Sequence, residues 1–192
     1  MLPKTCSIPE CGTKFYARGW CAKHYKRWLV YGDPTFIQTP AFRFMRNVTK
    51  SDGCWEWTAH RMETGYASFY ADGKYQLVHR FSYEMHIGPI PSGMQVDHIC
   101  HNTSCVNPDH LRAVTPKQNC ENLSGPTSRS KTGIRGVTWA KHAGKWLVRV
   151  GHHGKPHHGG YFTDINEAEQ VAIALRNRLF THNDLDRTHN AL

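Results

Sequence analysis

The 192-residue chain is 39% hydrophobic, 20% charged and 11% aromatic, with seven Cys and six Trp, which excludes a disordered chain and allows one large or two to three small domains. Its apolar runs are too short to span a bilayer, and Met1-Leu2-Pro3-Lys4 leads straight into Cys6 with no signal peptide, so an intracellular protein with reduced, metal-ready thiols is expected. The formal charge of +9 divides as +4 over residues 1–40, 0 over 41–125 and +5 over 126–192, two basic ends that suit a polyanionic partner or, more blandly, solubility.

At the head of the chain, Cys6, Cys11, Cys21 and His24 (C-x4-C-x9-C-x2-H) form a candidate zinc set. Pro9, Gly12 and Gly19 supply turns, and Cys21 to Tyr31 reads as a helix bearing Lys23, Lys26 and Arg27. So short a segment has too little core to fold alone, which favours a metal. Its task is phosphate or groove contact, or only capping the fold. The turn-forming triplet Gly32-Asp33-Pro34 ends this module, assigned to residues 1–36.

The middle module spans 42–122. Tyr66–Tyr70 and Tyr75–Val78 flank Asp72-Gly73 and read as a β-hairpin. His79 to Ile87 reads as a short helix stopped by Gly88-Pro89, and Met94 to Ile99 as a strand. Thr115-Pro116-Lys117-Gln118 is a capping-box helix start that places Asn119 in the first turns.

Two chemistries meet in this module. Cys100, Cys105 and His110 (C-x4-C-x4-H) suit tetrahedral zinc but number three, and Cys54 is the best fourth ligand; the alternative is a reduced, buried Cys set without metal. Asp97 and Asn119 offer oxygens that suit Mg²⁺, and neutral His98 can take a proton from water. Asp97 and His98 are adjacent on a strand, so they point to opposite faces unless the strand end twists or bulges. A surface Asp-His pair beside a helix cap is the plainer reading. Asn107 either holds the loop that orients the imidazole or is simply an Asn-Pro turn residue. Arg80 contacts a phosphate or pairs with Glu84 one turn on.

Residues 123–132 are polar, small and proline-bearing, and read as a linker. The third module, 133–182, reads as strands Gly133–Trp139, Lys145–Gly151 and Pro156–Phe162 followed by a helix capped at Asp164. Ile165, Ala168, Val171, Ala172, Leu175 and Leu179 form its core face. The opposite sheet face would carry Arg135, Trp139, Lys141, Lys145, Trp146 or Arg149 against DNA. His152-His153 and His157-His158 are read as facing solvent or phosphate, not as a metal site.

The run from Val96 through Asp97-His98, Cys100, Cys105 and Asn107 to His110-Leu111, followed by Asn119, resembles the HNH endonucleases. With Gly53-Cys54-Trp55-Glu56-Trp57 and Val78-His79-Arg80-Phe81-Ser82-Tyr83-Glu84, the likeness covers residues 42–122 and looks strongest to zinc-stapled members, the His-Cys box homing enzymes and HNH proteins of phages. The resemblance implies a ββα-metal (His-Me) fold with His98 as general base, Asn119 as a Mg²⁺ ligand, and Cys54, Cys100, Cys105 and His110 as structural zinc ligands. Asp97 matches the metal-binding acid of HNH members, a position the His-Cys box pattern need not fill with an acid.

Residues 131–182 resemble the ethylene-response-factor (Apetala-type) DNA-binding domain through Ile134-Arg135-Gly136-Val137, Gly144-Lys145-Trp146 and Gly160-Tyr161-Phe162. That resemblance implies a sheet in the major groove, its Arg and Trp side chains contacting bases and backbone; Thr138 stands where plant members carry a further Arg.

The expected architecture is α+β: a small N-terminal zinc finger, a central ββα-metal nuclease domain, and a C-terminal three-stranded antiparallel sheet plus helix. The expected function is a homing-type endonuclease that hydrolyses double-stranded DNA, holding two structural Zn²⁺ and one catalytic Mg²⁺, for which Mn²⁺ can substitute. It would have no membrane association and would act in the cytoplasm of a bacterial host if phage-encoded. The alternatives are a catalytically silent zinc-containing DNA-binding regulator, against which intact Asp97, His98 and Asn119 argue, and a zinc-bearing RNA binder that does not cut.

Overall fold

A computed structural model describes residues 5–128 and 130–189. The reading of Met1-Leu2-Pro3-Lys4, Arg129 of the expected linker and the last three residues lie outside the described residues. Contacts divide the chain into two units, 1–46 and 47–192, and among the described residues no helix is long and apolar enough to cross a membrane.

In the first unit, isolated bridges pair Thr5 with Lys14 and Ala17 with Trp20, and one longer helix follows, α1 (Ala22–Tyr31). It stops at Gly32, whose φ of 73° is the left-handed C-cap conformation that glycine adopts without steric cost. A second helix, α2 (Pro40–Met45), was not evident from periodicity; Thr39 caps it by accepting a hydrogen bond from the Phe42 amide. Buried Cys6, Cys21 and His24, with Phe44, stand in for the larger apolar core that so small a unit cannot build. Tyr31, Phe36 and Phe42 add a satellite cluster with ring centroids 4.4–6.0 Å apart.

The second unit opens with β1 (Val48–Thr49) paired to β2 (Glu56–Trp57), followed by the hairpin β3 (Ser68–Ala71) and β4 (Lys74–Leu77). Asp72 and Gly73 both have positive φ, 50° and 79°, the twisted two-residue turn their sequence favours. Helix α3 (Val78–His86) buries Val78, His79, Phe81 and Ser82. Strand β5 (Gln95–His98) pairs antiparallel with β6 (Leu111–Val114), His98 opposite Leu111 and Asp97 opposite Arg112. Helix α4 (Pro116–Glu121) follows with both hydrogen bonds of the Thr115–Gln118 capping box in place. β5, β6 and α4 form a ββα unit, and Phe69, Phe81, Val106 and Val114 are buried in the same part of the chain.

Strands β7 (Val137–Ala140), β8 (Lys145–His152) and β9 (Lys155–Phe162) form one antiparallel sheet in chain order, packed by α5 (Ile165–Leu179). Val137, Val148, Val150, Ala168, Ala172, Leu175 and Phe180 make the core between them. Gly159 sits at a bulge where β8 and β9 shift register between Val148 and Arg149. A Cβ at Gly159 would come within 2.5 Å of Val148 Cγ1, so only glycine lets β9 close over the core. A last helix, α6 (Asp184–His189), lies beyond the range assigned to the third module.

The stretch 123–132 does not separate the sheet module from the ββα unit as an independent body, because polar bonds tie the two together on both sides of it. Arg135 donates to the carbonyls of Cys120 (2.8 Å) and Glu121 (3.0 Å) at the end of α4. Buried Glu121 accepts from the Thr181 amide and hydroxyl at 3.0 and 3.1 Å, and from Lys117.

Two sheet-face expectations need correction. Arg135 spends its guanidinium capping α4, whose last carbonyls lack helical partners, and is not on an open sheet face. Strand alternation also separates Trp146 from Lys145 and Arg149: Trp146 packs against the core beside Val148, leaving Lys145, Leu147 and Arg149 on the outer face. Trp139 lies opposite Trp146 in the ladder, stacked edge-on at 4.7 Å and 48% exposed at the rim of the helix-facing side. Lys141 is exposed in the β7–β8 turn.

Candidate active site and metal clusters

Cys6, Cys11, Cys21 and His24 converge, as do Cys54, Cys100, Cys105 and His110, with the ligand atoms of each set within 4.8 Å of one another. Zinc bond lengths of about 2.3 Å to sulfur and about 2.0–2.1 Å to nitrogen require tetrahedral edges of about 3.8 Å (S···S) and about 3.5 Å (S···N). In the first set Cys11 and Cys21 sulfurs are 3.8 Å apart, and His24 Nδ1 is 3.2 and 3.4 Å from Cys6 and Cys21. In the second, His110 Nδ1 is 3.6 Å from both Cys54 and Cys105. Both sets therefore fit a tetrahedral ion and could bind zinc.

Hydrogen bonding from Cys105 lowers the Cys100 thiol to about 5, while Cys105 itself is raised; the pair concentrates thiolate character on Cys100. Cys120 is exposed and belongs to neither set.

The second cluster is held from outside. Asn107, buried, accepts from the Asp109 amide and donates to the Gly53 carbonyl at 2.7 Å, fastening the loop before Cys54. It thus turns the chain and ties the loop at once. Glu56 receives Asn102 Nδ2 at 2.6 Å and also the Ser104 hydroxyl.

A cleft of about 160 Å³ opens at the end of β5, lined by Tyr66, Asp97, His98, His101, Asn119 and Asn122 among others. Adjacent Asp97 and His98 both reach it, against the opposite-face expectation, because β5 ends at His98 and the cleft lies across that end. His98 is 5% exposed, and its Nε2 is 3.0 Å from the Cys105 carbonyl. A carbonyl only accepts, so Nε2 carries the proton and Nδ1 keeps the lone pair of a base. Burial pushes the imidazole below its ordinary value, partly opposed by that hydrogen bond, so it stays neutral at neutral pH. The metal cluster therefore also aims the base.

Asp97 is 7% exposed, and its Oδ2 accepts from Arg112 Nε (3.0 Å), Arg112 Nη2 (2.9 Å) and Asn122 Nδ2 (2.9 Å). A buried carboxylate stripped of such a partner costs about 3–5 kcal/mol, so Arg112 is the condition for an acid here. Oδ1 accepts no hydrogen bond among the described residues. Asn119 donates Nδ2 to Gln95 Oε1 at 2.7 Å, and its own Oδ1 accepts no hydrogen bond among the described residues. Asn122 is already spent: Nδ2 on Asp97, and Oδ1 on the Asp184 amide at 3.1 Å. Asp97 and Asn119 thus bring two hard oxygen donors to one cleft, a set that fits a divalent cation such as Mg²⁺.

Sequence reasoning missed Asn122, Arg112, Asp184, Tyr66, His79 and His101. The spacing Asn119-x-x-Asn122 was a usable signal, since residues three apart neighbour one another on a helix. His79 stacks 4.8 Å from His98, and burial, then the charges of His98 and Arg80, lower it to about 3. Its Nδ1 and His101 Nε2 are buried without a partner among the described residues. Arg80 makes no ion pair with Glu84 among the described residues.

The HNH endonuclease family model matches residues 76–120, from β4 through α4 and so across the cleft itself. Protein 3.8 of Escherichia phage T7 is 33% identical over 126 residues, 66% of this chain and 98% of that protein. With its site matched by the family and nearly the whole of that relative covered, the chain belongs to the HNH endonucleases.

Protein 7.7 of the same phage is 42% identical over 72 residues, 38% of this chain and 55% of that one. An uncharacterised HNH endonuclease of Acanthamoeba polyphaga mimivirus is 46% identical over 77 residues, 40% of each chain. The chain thus spans about half the length of protein 7.7 and less of the mimivirus protein. No solved structure matches.

Proposed function

We propose that the protein is a homing-type DNA endonuclease that hydrolyses phosphodiester bonds with one His base and one divalent metal, acting in the cytoplasm of a phage-infected bacterium. The observation that carries this reading is the His98 imidazole, fixed through Nε2–H on the Cys105 carbonyl with basic Nδ1 beside the cleft that Asp97 and Asn119 also line. His98 Nδ1 takes the proton of a water placed in line with the scissile phosphorus. Asp97 Oδ1 and Asn119 Oδ1 would hold Mg²⁺, or Mn²⁺ in its place. A bound cation would supply charge neutralisation at the scissile phosphate. Asn119→Ala weakens a metal ligand and spares the base, so cleavage falls and is partly recovered by raising Mg²⁺.

The two Cys₃His sets would each hold a structural Zn²⁺, each set of three thiolates and one Zn²⁺ carrying a charge of −1, so the chain would remain basic. The 133–182 sheet is read as the DNA-binding module of the ethylene-response-factor type, working through Lys145 and Arg149 on its outer face and Lys141 in the turn, with Trp139 at the rim. The small Cys₃His unit adds Lys23, Lys26 and Arg27. If Lys145 and Arg149 each neutralise one phosphate, replacing both by Ala weakens binding to all sequences and reduces the slope of log K against log salt by about 2. Binding measured at several salt concentrations checks this, and an unchanged slope removes the outer face from the interface.

Incubation of the zinc-loaded chain with supercoiled DNA tests the reading as a whole. Nicked or linear product with Mg²⁺ and none with EDTA is expected. Absence of product from folded, zinc-loaded protein at any Mg²⁺ or Mn²⁺ concentration would favour a silent binder.

A further inference from the structure

The nuclease centre is closed from behind by a residue 72 positions beyond Arg112 in sequence. Asp184, the first residue of α6, bonds Arg112 Nη2 and lies 3.5 Å from Arg112 Nη1. Arg112 in turn grips Asp97 Oδ2 with Nε and Nη2. The Asp184 backbone amide donates to Asn122 Oδ1, and Asn122 Nδ2 returns to the same Asp97 oxygen. Asp97, Arg112, Asp184 and Asn122 form a closed ring in which every donor on Asp97 falls on Oδ2, turning Oδ1 away from the ring.

We propose that Asp184, contributed by the C-terminal module, is a positioning residue that orients Asp97 and keeps the site negative enough to take its divalent cation. The inference rests on the reading of Asp97 and Asn119 as the cation's ligands. Its physical core is charge. Asp97 and Arg112 alone form a neutral pair, which has little attraction for a divalent ion. With Asp184 sharing Arg112 the trio carries one net negative charge, and the carboxylate stays oriented without being cancelled. Helix α6, which follows the sheet module, thereby supports the cation site from behind.

Asp184→Asn tests this, because it removes the charge while keeping an oxygen for Arg112 and the backbone bond to Asn122. Mn²⁺ uptake by the full-length zinc-loaded chain is followed by paramagnetic resonance without DNA, beside the Mg²⁺ dependence of cleavage. With a unit charge lost this near a divalent ion, Mn²⁺ affinity and the half-saturating Mg²⁺ should each shift by at least about tenfold. DNA affinity and zinc content stay unchanged, and Asp184→Glu recovers part of the loss.

An Asp184→Asn chain with wild-type Mn²⁺ affinity and Mg²⁺ dependence overturns the proposal, whether or not its unfolding temperature drops. So does a wild-type chain that takes up no Mn²⁺. Asp184-dependent Mn²⁺ uptake by a wild-type chain that cuts no DNA supports the positioning role and rejects the nuclease reading.

Discussion

His98→Ala is expected to lower the single-turnover rate of DNA cleavage by at least the 10²–10⁴-fold, roughly, that a positioned general base supplies. The loss falls on the chemical step alone. The His98 side chain belongs to neither candidate zinc set and takes no part in the ring around Asp97, so zinc content and DNA affinity should stay near wild type. His79, 4.8 Å away, is no substitute base: its Nδ1 is enclosed, and its strongly lowered basicity makes it a poor proton acceptor. Near-wild-type cutting by the variant would return His98 to the role of a buried structural histidine.

His110→Ala should fail differently. It removes the one nitrogen of the second cluster, and a structural zinc site rarely survives in a loop this poor in apolar side chains. Zinc should fall from two ions per chain to one, with loss of thermal stability in the 47–192 unit. Cleavage should vanish as a consequence, because the Cys105 carbonyl that aims His98 belongs to the same loop. Cys120→Ser, which changes an exposed thiol outside both sets, should retain two ions. Metal analysis of the three proteins decides this; two ions in His110→Ala would break the ligand assignment.

The features of the site legible in the sequence are those written in short spacings. The first ligand set, the Cys100-Cys105-His110 part of the second, the Asp72-Gly73 hairpin and the Thr115–Gln118 box are local patterns whose chemistry points one way. Strand β6 was hidden because Leu111–Val114 is short and follows directly on a metal ligand, so only its pairing with β5 reveals it. The separation of Trp146 from Lys145 was available from strand alternation alone, but composition drew the aromatic and basic residues onto one face.

Other features had no local signal. Arg135 looked like a DNA contact because nothing near it in sequence shows that the end of α4 needs a cap. The Arg112–Asp184 pair joins segments that read as separate modules across a polar stretch. Asp97 carries the sharpest case: the sequence offers an acid before His98, and only the ring around Oδ2 shows which oxygen is left for a metal.

The central claim is a division of labour in one cleft, with His98 making the nucleophile and Asp97 and Asn119 holding the cation. Single-turnover cleavage measured against Mg²⁺ concentration, in parallel for wild type, Asn119→Ala and His98→Ala, reads it directly. Wild type should saturate, and Asn119→Ala should need more Mg²⁺ and then climb toward it. His98→Ala should stay flat, at least about 100-fold lower throughout. A His98→Ala curve that rises with Mg²⁺ to the wild-type rate would contradict it.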